Sequence, residues 1–417
     1  MDRTVKHKTV IQAKKEIWER KEHPEWLQQN IDFDQTLRLN EKDRTVIQEL
    51  FDSLYQGISL YRRDQKHLDL EILISNLVKA KHKAVAISLD RNSWKTGQYF
   101  RASYFIIEVV KILERTGFLR MKLGYNFENQ SRKTRIWATQ KLLQYIPEFH
   151  SAVIYSPKEL VELRDENGKL KEYKNTTETR RIRKILELTN AVNTRADIRY
   201  RKWKLNPCLL AVFNRKFTLY GRLHTRGHRH YQGFSEDERS EITINGESVV
   251  ELDYSGLHPH LLYAKEGIQF FGDPYSIVDH RPEVRAFLKA ILLRMLSARD
   301  ETQAERAANY WLLNNNEERE TLKELDITRA RPLMDAFRQA HKKINHYFCT
   351  GKDTGLKIMN LDAKIALDVI HHFAKQDIPI LAVHDSFLVQ AQHRDELMQT
   401  MKRVYQQKTG GFRIPVK

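Results

Sequence analysis

Apolar residues recur at helical spacing in some stretches and run together in short bursts in others, and these two patterns divide the chain into elements. Glu41–Tyr61 carries Val46, Ile47, Leu50, Phe51, Leu54 and Tyr55 on one stripe, which predicts an amphipathic helix within a basic helical region of residues 1–67. Ser103–Arg115 places Phe105, Ile106, Val109, Val110, Ile112 and Leu113 at the same period, and Gly117 ends that helix. A short strand, Phe118–Leu123, and a polar stretch, Gly124–Ser131, then lead into Arg132–Leu143. Val161–Tyr173 predicts a hairpin, because Asn167-Gly168 supplies the positive φ angles of a tight type I′ turn. Thr176 or Thr177 caps the next helix, which reaches Asn190 and carries Arg180, Arg181 and Arg183.

The second half holds the sharper signals. Ser248–Leu252 is a short apolar strand that ends on Asp253, and a helix-like stretch, His260–Lys265, follows. Far downstream, Ile378–Leu381 runs through Ala382-Val383 into His384-Asp385-Ser386-Phe387-Leu388-Val389. That segment predicts a strand, a tight turn with His384-Asp385 at its tip, and a returning strand. Between the two, Arg285–Arg294 is a helix on which Arg285 and Lys289, four apart, are neighbours on one face.

Composition narrows the class. A chain of 417 residues is two to three times the usual domain of roughly 100–200, so two or three units are expected. Hydrophobic residues at 41% and aromatics at 10% are enough for real cores and exclude a mainly disordered chain. The net charge of +17 points to a polyanionic partner, nucleic acid before an anionic membrane surface. Apolar runs such as Ile378–Val389 are too short to span a bilayer, and Met1–Glu22 lacks the apolar core of a signal peptide. Cys208 and Cys349 are too few for a disulfide framework or, alone, a zinc site. A soluble, cytoplasmic protein with no membrane partner is the expectation.

A helix followed by a basic two-stranded hairpin is the pattern of a winged-helix DNA-binding unit, here residues 68–150. Its wing would carry Lys122, Arg132, Lys133 and Arg135 toward phosphates. The same pattern also describes a helix–hairpin subdomain with solvated charges, and the overall charge tilts the reading toward DNA. Residues 151–205 form the hairpin and the Arg-rich helix after it.

Two carboxylates at strand edges, Asp253 and Asp385, suit joint ligation of a divalent cation. Magnesium takes hard oxygen ligands and keeps positions open for substrate phosphates. A pair of such ions clamps the attacking and leaving oxygens of a phosphoryl displacement. A strand-end Asp alone is ordinarily structural; the basic helix between the two gives the pair its meaning, because a triphosphate needs cations there. A solvated amphipathic face remains the ordinary alternative for Arg285 and Lys289. Upstream, Tyr220–His230 gathers glycines and basic residues suited to a nucleic-acid backbone. Its three His lack the Cys or carboxylate spacing of a metal site.

The order of these segments resembles the palm and fingers of family A DNA polymerases and of the related phage-type single-subunit RNA polymerases. Gly221-Arg222-Leu223 resembles the element that touches primer-template duplex, Asp253-Tyr254-Ser255 resembles motif A, Arg285…Lys289 motif B, and His384-Asp385-Ser386 motif C. His393–Lys408 as a helix and Arg413–Val416 as a closing strand are similar to the last palm elements. The resemblance covers residues 206–417. It implies an α+β right-hand fold with an antiparallel-sheet palm and helical fingers, preceded by a mainly helical half whose Arg-rich helix is thumb-like.

Carried over residue by residue, the resemblance makes Asp253 and Asp385 the ligands of two Mg2+ ions, with the Tyr254 carbonyl a further ligand. Arg285 and Lys289 would bind the triphosphate, Lys289 also protonating the departing pyrophosphate. Arg222 and His384 would position the primer strand, and Asn360 stands where the family carries a minor-groove Gln. Three departures matter. Leu293, Ser297 and Ala298 occupy the places of the aromatic residues and the Gly that follow the motif B Lys. His258 stands where the DNA polymerases keep a Glu against the 2′-hydroxyl, which leaves sugar selection open. No strand-borne Asp-x-Glu with downstream acidic partners, as a proofreading exonuclease would need, is found in residues 1–200. The resemblance thus implies a small DNA-dependent DNA polymerase whose partners are a DNA primer-template and nucleoside triphosphates. An RNA polymerase or primase, and a non-catalytic replication initiator on a polymerase scaffold, stand as alternatives.

Overall fold

Helical stripes and short apolar strands assemble into two units, Met1–Glu159 and Leu160–Lys417. The computed structural model describes residues 30–417 apart from 40, 59, 81–82, 96, 128–129, 146–152 and 227–229. The expectations placed on residues 1–29, and on Gly227–Arg229 of the basic cluster, lie outside the described residues. The architecture is mixed α+β. No described helix is long and apolar enough to cross a membrane.

The first unit contains, in chain order, β1 (Asn30–Asp32), β2 (Leu37–Leu39), α1 (Glu41–Leu54), α2 (Arg63–Ala80), β3 (Ala84–Ile87), α3 (Ile106–Arg115), β4 (Leu119–Lys122), β5 (Tyr125–Phe127), β6 (Gln130–Arg132), β7 (Thr134–Ala138), α4 (Gln140–Tyr145) and β8 (Val153–Tyr155). The predicted stripe of α1 is buried, with Ile47, Leu50 and Phe51 sharing one core with α2, α3 and the sheet. The helix ends at Leu54 rather than Tyr61, ahead of Gly57 with its positive φ. The helix-then-hairpin pattern is present, but β7 pairs with both β4 and β3 in a four-stranded sheet of order β1-β3-β7-β4. The expected two-stranded wing is therefore one edge of a larger sheet, with β5 and β6 as a separate small hairpin.

The second unit runs through β9 (Val161–Arg164), α5 (Thr177–Arg195), β10 (Ile198–Tyr200), β11 (Trp203–Lys204), β12 (Leu210–Asn214), β13 (Tyr220–His224), α6 (Glu236–Ser240), β14 (Ile242–Ile244) and β15 (Glu247–Asp253). It continues with α7 (Leu257–Lys265), α8 (Pro282–Ser297), α9 (Glu301–Leu313), α10 (Asn316–Glu324), α11 (Arg331–Ala340), α12 (Thr354–Lys375), β16 (Leu381–Val383), β17 (Ser386–Gln390) and α13 (Arg394–Thr409). Thr176 caps α5 through the amide of Thr179, as its sequence predicts. The helix passes Asn190 because the polar side chains near its end are buried and used. Asn190 bonds both main-chain groups of Leu209, and Asn193 both of Ile380.

Six strands, β11-β10-β14-β15-β17-β16, form an antiparallel sheet. Alternation sorts its side chains. Val250, Leu252, Phe387 and Val389 face the large core that α7, α8, α12 and α13 cover. Val249 and Leu388 face a smaller cluster with Ile242, Ile244 and Tyr231. Val383 pairs with Ser386, so only His384 and Asp385 form the β16–β17 turn. His384 takes φ 60°, the positive angle that a two-residue hairpin demands at its first turn position. The final residues do not form a strand; Val416 makes a single bridge to Tyr254.

A second sheet, β13-β12-β9, carries the Gly-Arg-Leu segment on its edge strand. Gly221 has φ 81°, and a Cβ there would stand 2.8 Å from the Phe213 ring and 2.9 Å from Nδ2 of Asn360 on α12. The glycine thus serves both the backbone turn and the close approach of a helix. Gly221→Ala is expected to destabilise the protein by about 2 kcal/mol or more, from the positive φ together with the overlap. Urea denaturation reads this directly, and an unchanged midpoint would remove the packing role.

Candidate active site

The β15/β17 register sets Asp253 opposite Ser386, beside the turn that carries Asp385. Facing residues on paired strands lie roughly 4.5–5.5 Å apart at Cα, so the two acids sit at the ends of adjacent strands within one to two residue spacings. Tyr254 follows immediately after the last pair of this register. On its other side Tyr254 faces Val416, flanked by hydrogen bonds from the Asp253 amide to Lys417 O (2.8 Å) and from the Ser255 amide to Pro415 O (3.0 Å). Tyr254 is thus the non-hydrogen-bonded member of that bridge, and its own carbonyl is directed toward the β17 side. Its phenol is buried and donates to Met401 O at 2.6 Å, which fixes this corner of the sheet.

Among the described residues, no side chain or amide hydrogen-bonds or ion-pairs with either carboxylate. Burial pushes the Asp253 carboxyl up to about 7, and the negative charges of Asp385 and Glu251 add to the rise. Lys289 and Lys417 oppose it. Lys289 is exposed on α8 and has no ion-pair partner among the described residues, so its charge is available to the acidic site. Arg285, one turn earlier, is engaged: its Nε donates to Asp273 at 2.6 Å and its guanidinium lies 5.2 Å from the Tyr275 ring centre. Leu293, about two turns past Arg285, is half-buried on the same helix.

Arg222 and His258 meet elsewhere than on open surface. Arg222 donates twice to Asp362 (2.6 and 3.0 Å), and His258 Nε2 lies 3.3 Å from Arg222 and 3.6 Å from the Asp362 carboxylate. Asp362 is 1% exposed. Burial works against its charge, but His258 and Arg222 hold its carboxyl below the ordinary range. Burial likewise opposes the Arg222 charge, while Asp362 and then Asp385 keep it firmly protonated. His384 is held neutral, first by burial and then by Arg222. Asn360 is buried and donates to Phe217 O at 3.1 Å, so its amide serves the fold.

Several contributors carried no signal in the sequence. Glu251 accepts the Ser386 hydroxyl at 2.5 Å and Arg239 at 2.7 Å, tying β17 and α6 to β15. Tyr275 is 3% exposed, and its phenol is pushed up by burial and by the charges of Asp385 and Asp253, which places its hydroxyl within their field. In the first unit, Lys122 stands directly across from Arg135 in the β4/β7 pair, and Arg132 faces Tyr125 across β5/β6. Arg135 is buried and donates to Lys133 O at 3.1 Å.

The donor set fits a sparse magnesium site. Among the described residues no three His, Cys, Asp or Glu side chains form a metal-holding group. A cation here would rest on two carboxylates, a main-chain carbonyl and its water or substrate oxygens, which magnesium accepts. Unpaired, partly buried anions at a strand edge are what such a cation would relieve. The raised Asp253 carboxyl favours the folded state in its protonated form. That contribution is full below the unfolded value of 3.8 and lost as pH rises through about 7. In EDTA at pH 8, Asp253→Asn is therefore expected to raise the melting temperature by about 2 °C or more, an effect that shrinks by pH 5. Mg2+ should raise the wild-type melting temperature at pH 8 and leave the variant's unmoved. A variant that responds to Mg2+ as the wild type does would exclude Asp253 as a ligand.

No protein-family model matches the chain. No curated protein matches it either. Among solved structures it is similar to the POL domain of Pol1 from M. smegmatis in complex with DNA primer-template and dNTP, at 11% identity and a TM-score of 0.34, over 92% of this chain and 66% of that one. The chain thus spans slightly under two-thirds of that neighbour's length.

Proposed function

We propose that this chain is a template-directed nucleotidyltransferase that extends a primer, with DNA synthesis as the principal activity. The reading is carried by one observation: two unpaired carboxylates on adjacent strand ends, with the charge of Lys289 acting on one of them. Asp253, Asp385 and the Tyr254 carbonyl would hold Mg2+. The metal supplies Lewis-acid stabilisation of the attacking 3′-oxygen and the phosphates. Lys289 binds the triphosphate and hands a proton to the leaving pyrophosphate. Arg285, aligned by Asp273 and Tyr275, adds a second cation on the same helix face. Arg222 and His384 border Asp385 and position the primer end. His258, beside Asp362, and Leu293 shape the place of the incoming sugar and base.

Because His258 is tied to Asp362 and Arg222 rather than offered as a carboxylate, sugar choice is the point to measure. Labelled dNTP and NTP are presented separately on a primed DNA template with Mg2+. Incorporation of dNTP that depends on Mg2+ is expected. Preference for NTP would move the assignment to RNA synthesis. Incorporation of neither, with DNA still bound, would reject the catalytic reading in favour of a binding protein on this scaffold.

A further inference from the structure

The first unit carries an open pocket of about 730 Å³, lined wholly by its own residues. One wall follows the exit of β3. There the Trp94 Nε1 donates to Ser88 O at 3.1 Å, and the Trp94 ring meets Phe33 edge-on at 5.3 Å, so the indole is held in place. The opposite wall is the β5–β6 hairpin, which contributes Tyr125 and its direct cross-strand partner Arg132. Lys95 and Lys133 complete the rim. The lining carboxylate, Asp90, already accepts the Asn92 amide at 3.0 Å. Lys133 pairs with Asp32 only at the surface, where such a pair is weak and easily exchanged.

Held aromatic faces beside cations are the chemistry of a nucleotide: a planar base to stack and a phosphate to neutralise. The volume lies in the range of small-molecule sites and is far too small for a duplex. An acyl chain would ask for an aliphatic tunnel instead. We propose that this pocket takes one unpaired nucleotide, its base against Trp94 and Tyr125 and its phosphate among Lys95, Arg132 and Lys133. This site does not depend on the nucleotidyltransferase reading.

The test uses the full chain in EDTA, without triphosphates, so its outcome is separate from that of primer extension. Fluorescence anisotropy is read with a labelled single-stranded 12-mer, with an abasic 12-mer of equal charge, and with nucleoside monophosphate as competitor. Tyr125→Leu and Lys95→Glu are each expected to weaken 12-mer binding about tenfold, and the abasic strand to bind similarly weakly to the wild type. Circular dichroism establishes that the variants fold; Lys95 is exposed, so its variant remains informative if the Tyr125 variant does not fold. Competition by the monophosphate assigns free nucleotide as a ligand, and lack of competition assigns a strand; either supports the site. Unchanged affinity in the folded variants, or equal binding of the abasic strand, would overturn it.

Discussion

Asp253→Asn and Asp385→Asn are each expected to lower Mg2+-dependent primer extension by about 10³-fold or more. A ligated cation supplies several kcal/mol of transition-state stabilisation, and each 1.36 kcal/mol is tenfold in rate. Asn keeps the volume of Asp and the β15/β17 register, so the loss reports charge and ligation rather than folding. The defect should fall on the rate at saturating nucleotide. Affinity for primer-template should hold or rise, because one negative charge has left the site. At limiting Mg2+ the wild-type rate should climb as pH rises toward 7, as the raised Asp253 carboxyl loses its proton and becomes a ligand, and saturating Mg2+ should shift that rise to lower pH. Lys289→Ala should weaken triphosphate use without abolishing binding of DNA. Either Asn variant retaining a tenth of wild-type extension would end the assignment of that residue.

The acidic pair was legible because each Asp closes a short apolar strand, and a two-residue turn between two such strands has few readings. The register then forces adjacency: once β15 and β17 pair through Leu252 and Phe387, Asp253 and Asp385 have nowhere else to be. Helix α8 was legible by the spacing of its residues, and α13 through the resemblance of the chain's end to the last palm elements. The partners of these residues were not. Asp362 sits two positions after Asn360 on an amphipathic helix, where an Asp ordinarily faces water. Only the approach of α12 to the backbone of β13 at Gly221 buries it against Arg222. Asp273 and Tyr275 lie in a stretch with no period at all, and tertiary contact alone makes them the supports of Arg285.

The first unit was harder to read for a related reason. Ala84–Ile87 is a four-residue apolar run, too short for periodicity to separate strand from helix. Yet β3 is what turns the basic hairpin into a sheet, through its pairing with β7 and, in parallel, with β1. Local sequence gave the helix and the basic strands after it. The neighbour that changes their meaning comes from some fifty positions upstream of β7, and no local pattern encodes that choice.

Removing the Asp362 charge is expected to be the most destabilising single change in the second unit. Asp362→Asn leaves the guanidinium of Arg222, only 15% exposed, without its counter-charge and removes the negative charge 3.6 Å from His258. Breaking a buried pair by one partner costs about 3–5 kcal/mol, read as a lower urea midpoint at unchanged slope. Arg222→Met in addition should restore part of the loss, because the orphaned charge goes with it. The same network bears on catalysis. After Asp362, Asp385 is the next acidic charge acting on Arg222, so without the Asp362 charge the guanidinium is expected to lean on Asp385. It then competes with the cation for that carboxylate. Asp362→Asn should therefore raise the Mg2+ concentration for half-maximal activity severalfold, and Arg222→Met should reverse that rise even if the rate itself stays low. An unchanged Mg2+ requirement in Asp362→Asn would show that the buried cluster supports the fold alone.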